Sequence, residues 1–193
     1  PLGQMVQRST VRSKDLIAVT GTIGDGALGL LVKRDPDQDW VKKLSPAARD
    51  FLRDRYLHPQ PRLALVSALR RHAHAAMDVS DGLTGDLAKL LRAANHTGRM
   101  EVETVPLSFA AQQALQADPS LLNVVLTGGD DYELLLTFAA DQEGALRQAA
   151  NSCGVPLTVI GVVDRVREAP SAPLKLFHHG QAMSFSHGSY QHF

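Results

Sequence analysis

The chain has 193 residues, of which 44% are hydrophobic and 21% are charged, enough for one domain with an ordinary apolar core. Lysine plus arginine number 20, as do aspartate plus glutamate, and this zero net charge argues against a general nucleic-acid or membrane-surface binder. The single cysteine, Cys153, excludes an internal disulfide, and the apolar runs are shorter than the roughly 20 residues of a membrane span. These features predict a cytoplasmic protein without a membrane partner.

In chain order, the first half predicts alternating short strands and helices. The segment DLIAVTG is apolar and ends in a glycine turn, which is typical of a strand. A later helix begins with a capping serine, Ser45, followed by proline. The polar segment 35–43, which contains Trp40, is predicted to be a surface excursion. The predicted elements are a strand at 15–21, helices at 25–34, 45–56 and 62–74, and a strand at 76–80.

The second half continues the alternation and ends in a hairpin. An amphipathic helix places several leucines on one face, and a glycine loop leads into the strand at 132–138. The segment 174–185 predicts a hairpin with Gly180 in the turn. The other predicted elements are helices at 81–95, 106–118 and 141–153 and strands at 100–105 and 155–163. This order predicts a single α/β (α+β) domain over 15–193, with a mixed β-sheet packed with helices, preceded by a lead segment over 1–14.

The segment GDGALG, residues 24–29, matches the G-x-G-x-x-G pattern of dinucleotide-binding sites. Such a site also needs a second strand with an acid about 20 residues later, and here that region predicts a helix. We therefore interpret the segment as a glycine-rich turn that opens a closely packed helix.

The segment MDVSDGLTGDL brings Asp78, Ser80 and Asp81 to the junction of a strand and a helix N-terminus. Free N–H groups and a partial positive charge make such a junction suitable for anions. Alternatively, Ser80 or Asp81 simply caps the helix, although capping leaves Asp78 unexplained. A calcium loop fails on spacing, because Gly82 at loop position six would put Met77 at position one.

The segment GGDDYEL places Asp130, Asp131 and Glu133 directly before an apolar strand. Clustered carboxylates repel one another, so they indicate cations or cationic ligands, although a polar turn is the simpler alternative. Together with MDVSDGLTGDL, the segment holds six of the chain's 20 acids. Oxygen ligands without histidine or cysteine suit Mg²⁺, and Mg²⁺ suggests phosphate chemistry.

The histidines and the cysteine suggest no second site. His72 with His74, and His178 with His179, have no partners at zinc-ligand spacing and are predicted to be surface residues. Cys153 has no adjacent base in the sequence and is predicted to be a buried apolar side chain.

The motifs, taken in order, resemble the thiamine-monophosphate kinase family, from about Arg8 to Phe193. The motifs that carry the resemblance are RYLHPQPRL, MDVSDGL, TGGDDYELLLT, TVIGVV and the closing YQHF. The resemblance covers only the carboxyl-terminal part of that family, whose fold is that of aminoimidazole ribonucleotide synthetase-like C-terminal domains. It implies an ATP-dependent enzyme that transfers the γ-phosphoryl group to thiamine phosphate, giving thiamine diphosphate. Because the family's N-terminal domain carries a GDD metal motif and much of the nucleotide site, that domain is the implied partner, and we expect this chain alone to be inactive.

The resemblance implies a nucleotide end of the site. Asp78 and Asp81 match acids that bind Mg²⁺, and Ser80 matches a residue that contacts ATP. Arg8 aligns with an arginine that contacts the ATP phosphates, although the following TVRSK departs from the family's turn. Since a phosphate monoester is already ionised near neutral pH, the implied in-line transfer needs no general base, and no catalytic side chain is assigned.

The resemblance also implies a thiamine end. Glu133 aligns with a residue that lines the thiamine phosphate pocket, and Asp131 is its neighbour. Tyr190 matches an aromatic side chain that packs on the substrate. A cationic thiazolium suits an aromatic face beside a carboxylate.

Two alternatives stay open. One is a related ATP-dependent synthetase domain with another substrate, as in relatives that make aminoimidazole ribonucleotide or selenophosphate. The other is a non-catalytic binding module of the same fold. GGDDYEL and the terminal aromatic favour the thiamine branch, and the retained acids argue against a module that has lost its site.

Overall fold

The computed structural model describes residues 5–164 and 173–183. The strands are β1 Leu16–Thr20, β2 Ala75–Val79, β3 Gly98–Glu101, β4 Glu133–Phe138, β5 Leu157–Val163, β6 Leu174–His178 and β7 Gln181–Met183. The helices are α1 Asp25–Arg34, α2 Asp39–Lys43, α3 Pro46–Leu57, α4 Val66–His72, α5 Leu83–Ala93, α6 Phe109–Ala117, α7 Leu122–Thr127 and α8 Glu143–Ser152. No helix in this described part of the chain is both long and apolar enough to cross a membrane.

The strands of the described chain form one seven-stranded mixed sheet in the order β2-β4-β1-β5-β3-β6-β7. β4 pairs antiparallel with both β1 and β2, so β1 and β2 run in the same direction. The carboxyl ends of β1 and β2 therefore meet the start of β4 at one edge of the sheet. The loops that follow β1 and β2 and the loop that precedes β4 all lie at this edge.

Both faces of the sheet are buried under helices. Because alternate residues of a strand point to opposite faces, Ile17 of β1 belongs to the larger core and Ala18 belongs to the smaller one. The larger core is formed with α1, α2, α3, α5, α6 and α7, and the smaller one with α4 and α8. The predicted α/β architecture with a mixed sheet is confirmed.

Several local predictions are also confirmed. The Ser45 hydroxyl oxygen accepts a hydrogen bond from Ala48 N at 3.2 Å at the start of α3, with Pro46 in the first turn. β6 and β7 form the predicted hairpin, with His178 paired to Gln181. A two-residue turn with positive φ at both positions suits the right-handed twist of such a hairpin, and Gly180 accordingly has φ 75°.

Other local predictions are incomplete or wrong. The segment 35–43 is exposed over most of its length, as predicted, but it contains α2, which buries Trp40 and Val41. The segment before GGDDYEL forms α7, a helix for which the sequence analysis made no prediction. The strand predicted at 100–105 ends at Glu101 and continues as a 3-10 helix. Short helices such as α2 and α7 bury only two residues each, too few to reveal a helical period in the sequence.

The described part of the lead segment packs on the domain. Gln7 forms a parallel bridge with Ala75 at the outer edge of β2, and Val11 is buried in the larger core. The Thr10 hydroxyl donates to the carbonyl oxygen of His74. These contacts bring residues 7–11 against β2, the strand that contains the start of MDVSDGL.

Two side-chain predictions need correction. Cys153 is exposed, because α8 ends at Ser152 and the chain turns there through Gly154 at φ 67°. His74 is not a free surface residue, because its Nδ1 lies 2.9 Å and 3.0 Å from the two carboxylate oxygens of the buried Asp15.

Candidate functional site

Two of the three loops at the sheet edge, the one after β2 and the one before β4, are joined through their backbones. Asp130 N donates to the Ser80 carbonyl oxygen at 3.0 Å, and Tyr132 N donates to the Val79 carbonyl oxygen at 2.8 Å. GGDDYEL therefore runs alongside the start of residues 80–82, the SDG loop. These hydrogen bonds hold two of the motifs that the sequence analysis singled out in one fixed arrangement.

Glycines permit this close approach. A Cβ atom on Gly129 would lie 2.1 Å from the Ser80 carbonyl oxygen, and one on Gly26 would lie 2.3 Å from that of Asp130. A Cβ atom on Gly29 would lie 2.0 Å from the Leu52 carbonyl oxygen of α3. The glycines of GDGALG thus serve a turn and a closely packed helix, as predicted. A dinucleotide fold is also excluded by topology, since both neighbours of β1 are antiparallel.

Asp86 organises the loop that contains Ser80 and Asp81. Its Oδ2 atom accepts hydrogen bonds from Ser80 N at 3.0 Å and Asp81 N at 2.9 Å, and its side chain is fully buried. Its Oδ1 atom pairs with Lys89 Nζ at 2.9 Å, and the same ammonium lies 2.5 Å from Asp81 Oδ2. The simple capping alternative is wrong, because Gly82 occupies the N-cap position without a side-chain cap.

An acidic and aromatic surface lies beside this loop. Asp78 is exposed, Asp81 and Asp130 are half-buried, and Tyr132 is 38% exposed. Burial raises the pKa of the Tyr132 phenol, and the charge of Asp130, its hydrogen bond to the phenol and the charges of Asp78 and Asp81 act in the same direction. Tyr132 therefore lies within the electrostatic influence of all three carboxylates.

Glu133 lies below that surface and is fully buried. Its carboxylate accepts hydrogen bonds from Arg55 at 3.0 Å, from Arg62 Nε at 2.7 Å and from the Thr20 hydroxyl at 2.7 Å. Arg62 makes a second contact through Nη2. Both arginines of RYLHPQPRL thus converge on the acid that begins β4.

Asp131 caps the helix that follows β1. Its two carboxylate oxygens accept hydrogen bonds from Gly24 N at 2.7 Å and Gly26 N at 3.0 Å, at the start of α1. Burial raises the pKa of Asp131 to about 8; the two amide donors lower it, and the nearby Asp25 and Glu133 charges raise it. This carboxyl group therefore links GGDDYEL to GDGALG and stays protonated to near neutral pH.

The raised pKa of Asp131 predicts a loss of stability as the pH rises. Between its ordinary value of 3.8 and about 8, the folded state binds a proton that the unfolded state has released. The free energy of unfolding then falls with rising pH, by at most about 1.4 kcal/mol per unit, and levels off above pH 8. Urea unfolding from pH 4 to pH 9 checks this.

Asp131→Asn supplies the matched comparison for that pH series. The variant should lose the part of the slope that Asp131 contributes and keep the part from Asp25, whose pKa burial also raises, whereas the exposed Asp141→Asn control should keep the whole slope. Equal slopes in the wild type and Asp131→Asn would contradict the assignment.

The structure brings some predicted site residues together and separates others. Asp78, Ser80 and Asp81 lie around one loop, whereas Glu133 and Asp131 are buried behind it with protein partners. Arg8 is exposed in a 3-10 helix, Arg8–Thr10, that packs on β2 and α5. Tyr190 lies outside the described residues. Sequence reasoning counted Asp86 and Asp130 only among the clustered acids that suit Mg²⁺. It assigned no role to Tyr132, Lys89, Arg55 and Arg62, for which the paired arginines of RYLHPQPRL were the available signal.

A metal ion would find an incomplete ligand set here. Among the described residues, no group of three His, Cys, Asp or Glu side chains is placed to hold a metal. Mg²⁺ often takes only one or two carboxylates and completes its shell with phosphate oxygens and water. Asp78 and Asp81 supply that number of carboxylates, so their donor chemistry fits Mg²⁺ that arrives with a phosphate ligand.

Known proteins are similar to this chain in sequence and in fold. Residues 12–169 match the family described as AIR synthase related protein, C-terminal domain. Thiamine-monophosphate kinase of Salmonella typhimurium is 36% identical over 193 residues, which is 100% of this chain and 57% of that protein. The same enzyme of Caulobacter vibrioides is 37% identical over 164 residues, covering 83% of this chain and 44% of that protein.

Solved structures agree with the sequence relatives. A crystal structure of thiamine-monophosphate kinase from Stenotrophomonas maltophilia has a TM-score of 0.78 at 35% identity and covers 94% of this chain and 55% of that chain. AaThiL complexed with AMPPCP and TMP has a TM-score of 0.75 at 26% identity, over 97% of this chain and 54% of that chain. This chain thus spans little more than half the length of its relatives. It belongs to the AIR synthase-related protein family, of which it carries the C-terminal domain.

Proposed function

We propose that the chain is the C-terminal part of a thiamine-monophosphate kinase, which transfers the γ-phosphoryl group of ATP to thiamine phosphate. The observation that carries this proposal is the SDG loop, held by the buried Asp86 so that Asp78 and Asp81 remain at the surface beside GGDDYEL. The named relatives support it, as does AaThiL, which was solved with AMPPCP and TMP. The cytoplasm is the proposed compartment.

At the nucleotide end, the role of the chain is to bind and orient Mg²⁺ and the phosphates of ATP. Asp78 and Asp81 would hold Mg²⁺, which when bound neutralises charge on the phosphates. The Ser80 hydroxyl would contact ATP. Arg8 is a further proposed contact to its phosphates, and its 3-10 helix packs near the amino end of β2, away from the SDG loop. In-line phosphoryl transfer depends chiefly on positioning and on charge stabilisation, and this site has the residues for both.

At the thiamine end, Asp130 and Tyr132 present the surface that suits the substrate. A carboxylate beside an aromatic ring favours a flat cationic group such as thiazolium. Glu133 and Asp131 act indirectly, because their carboxyl groups already accept hydrogen bonds from protein groups and fix the loop that carries Asp130. Tyr190 is a further proposed aromatic contact.

The proposed partner of this domain is the N-terminal domain of the same enzyme, which would correspond to the rest of the relatives' length. The chain spans 57% of the Salmonella enzyme, and the rest of such an enzyme would complete the nucleotide site. We therefore expect negligible turnover of ATP and thiamine phosphate by the 193-residue chain. Turnover at the rate of a complete kinase would contradict this expectation.

Asp81→Asn is expected to weaken binding of Mg²⁺–AMPPCP to the chain by about tenfold or more, because a charged metal ligand is lost. Isothermal titration calorimetry measures the affinity, and Asp37→Asn is the control, since Asp37 is exposed and pairs only with Lys42 among the described residues. Equal affinities for Asp81→Asn and the control would overturn the nucleotide assignment.

A related synthetase with another substrate is the second candidate. Escherichia coli HypE has a TM-score of 0.70 at 16% identity, which indicates a common fold alone. A thermal-shift panel with Mg²⁺–AMPPCP and either thiamine phosphate or aminoimidazole ribonucleotide separates the two candidates. Stabilisation by thiamine phosphate alone supports the kinase.

A further inference from the structure

Lys89 connects two acids that have different surroundings. Its ammonium lies 2.5 Å from Asp81 Oδ2 and 2.9 Å from Asp86 Oδ1. The Asp86 side chain is completely buried, and its other oxygen accepts two backbone N–H groups. The side chains of Asp81 and Lys89 are 35% and 40% exposed, so both can move into solvent.

Helix geometry accounts for only one of these two contacts. Asp86 and Lys89 are three residues apart in α5, where side chains on one face meet routinely. Asp81 is eight residues before Lys89 and lies outside the helix. The long lysine side chain therefore reaches back across the first turns of α5 to a carboxylate proposed to bind Mg²⁺.

We propose that Lys89 is a built-in competitor for the divalent cation at Asp81. This inference rests on the proposed function, because it concerns the carboxylate that would meet Mg²⁺ and ATP. Mg²⁺ needs direct oxygen contacts of about 2.0–2.1 Å, and the ammonium occupies Asp81 Oδ2 at hydrogen-bonding distance. The positive charge of the ammonium opposes a second cation at that oxygen until Lys89 withdraws, and Asp86 retains the displaced lysine close to the site.

The competition favours metal that arrives with phosphate over bare metal. A bare ion must displace the ammonium without offering it a new partner. A metal–nucleotide complex brings phosphate oxygens, with which a lysine ammonium forms charge-assisted hydrogen bonds. Lys89 thereby makes the loop selective for the complex, and it does so without being a metal ligand.

The test is a Mn²⁺ titration of the wild-type chain and of Lys89→Met, followed by paramagnetic broadening of the backbone amide signals of residues 78–86. This readout detects weak binding and does not depend on turnover. Methionine has a helix propensity close to that of lysine, so α5 should be retained. We expect Lys89→Met to bind Mn²⁺ about three- to ten-fold more tightly, because the competing charge is gone.

Two further variants serve as controls. Lys89→Arg keeps the cation and should leave the Mn²⁺ affinity near that of the wild type. Lys42→Met removes an exposed lysine paired with Asp37 and should also have no effect.

An unchanged or weaker Mn²⁺ affinity in Lys89→Met overturns the inference, and so does an absence of broadening in both proteins. The Asp81→Asn titration with Mg²⁺–AMPPCP, run on the same preparations, separates this failure from failure of the proposed function. If Asp81→Asn still weakens nucleotide binding, the proposed function stands and the competitor role alone falls.

Discussion

Glu133→Ala is expected to lower the free energy of unfolding by about 3–5 kcal/mol, because it leaves two largely buried guanidinium groups without their shared counter-ion. Arg55 and Arg62 are only 7% and 15% exposed in their side chains, and both bind the Glu133 carboxylate. Neither forms another ion pair among the described residues. Urea unfolding followed by circular dichroism gives the loss.

Glu143→Ala is the matched control for this prediction. Glu143 is partly exposed and pairs with Arg147 one helical turn away, so its removal should cost only about 0.5 kcal/mol or less. Equal losses for the two variants would show that burial does not govern the effect. A loss below about 1 kcal/mol in Glu133→Ala would overturn the structural role assigned to this acid.

Glu133→Gln distinguishes an indirect role from direct contact with substrate. Glutamine keeps the size of the side chain and one acceptor oxygen but removes the charge, so some stability should return relative to alanine. If Glu133 acts by holding the loop, thiamine phosphate binding should recover along with stability. If binding is lost while stability recovers, Glu133 contacts the substrate itself.

Local signals in the sequence explain what could be predicted of the fold. The Ser45–Pro46 start of α3 and the Gly180 turn depend on residues adjacent in the chain, so the sequence carries the whole signal. The α5 helix likewise repeats leucines over enough turns to reveal its apolar face. GDGALG was interpreted correctly because the region after it lacked the second strand of a dinucleotide site.

Contacts between distant residues explain what could not be predicted. The acids of GGDDYEL have one local pattern, yet Asp130 faces the candidate site while Glu133 is buried. That difference is set by Arg55 and Arg62, which lie 78 and 71 residues earlier in the chain. A single sequence without an alignment does not pair such positions, so the motif located the site but not the roles of its individual acids.

Gly129→Ala is expected to lower the free energy of unfolding by about 2–3 kcal/mol and to abolish measurable AMPPCP binding. Its Cβ atom would lie 2.1 Å from the carbonyl oxygen of Ser80, and a backbone atom has no rotamer through which to move away. The loop of GGDDYEL must then separate from the SDG loop, which breaks the hydrogen bond from Asp130 N to Ser80. Urea unfolding and calorimetric titration with Mg²⁺–AMPPCP measure the two effects.

Gly144→Ala supplies the control, because a Cβ atom there meets nothing within 4 Å and the residue lies inside α8. Alanine should stabilise that helix by about 0.5–1 kcal/mol and leave nucleotide binding unchanged. Wild-type stability and binding in Gly129→Ala would contradict the close packing of the two loops. Because backbone contacts join these loops, we expect ligand affinity to follow loop spacing even in variants that keep every proposed ligand-binding side chain.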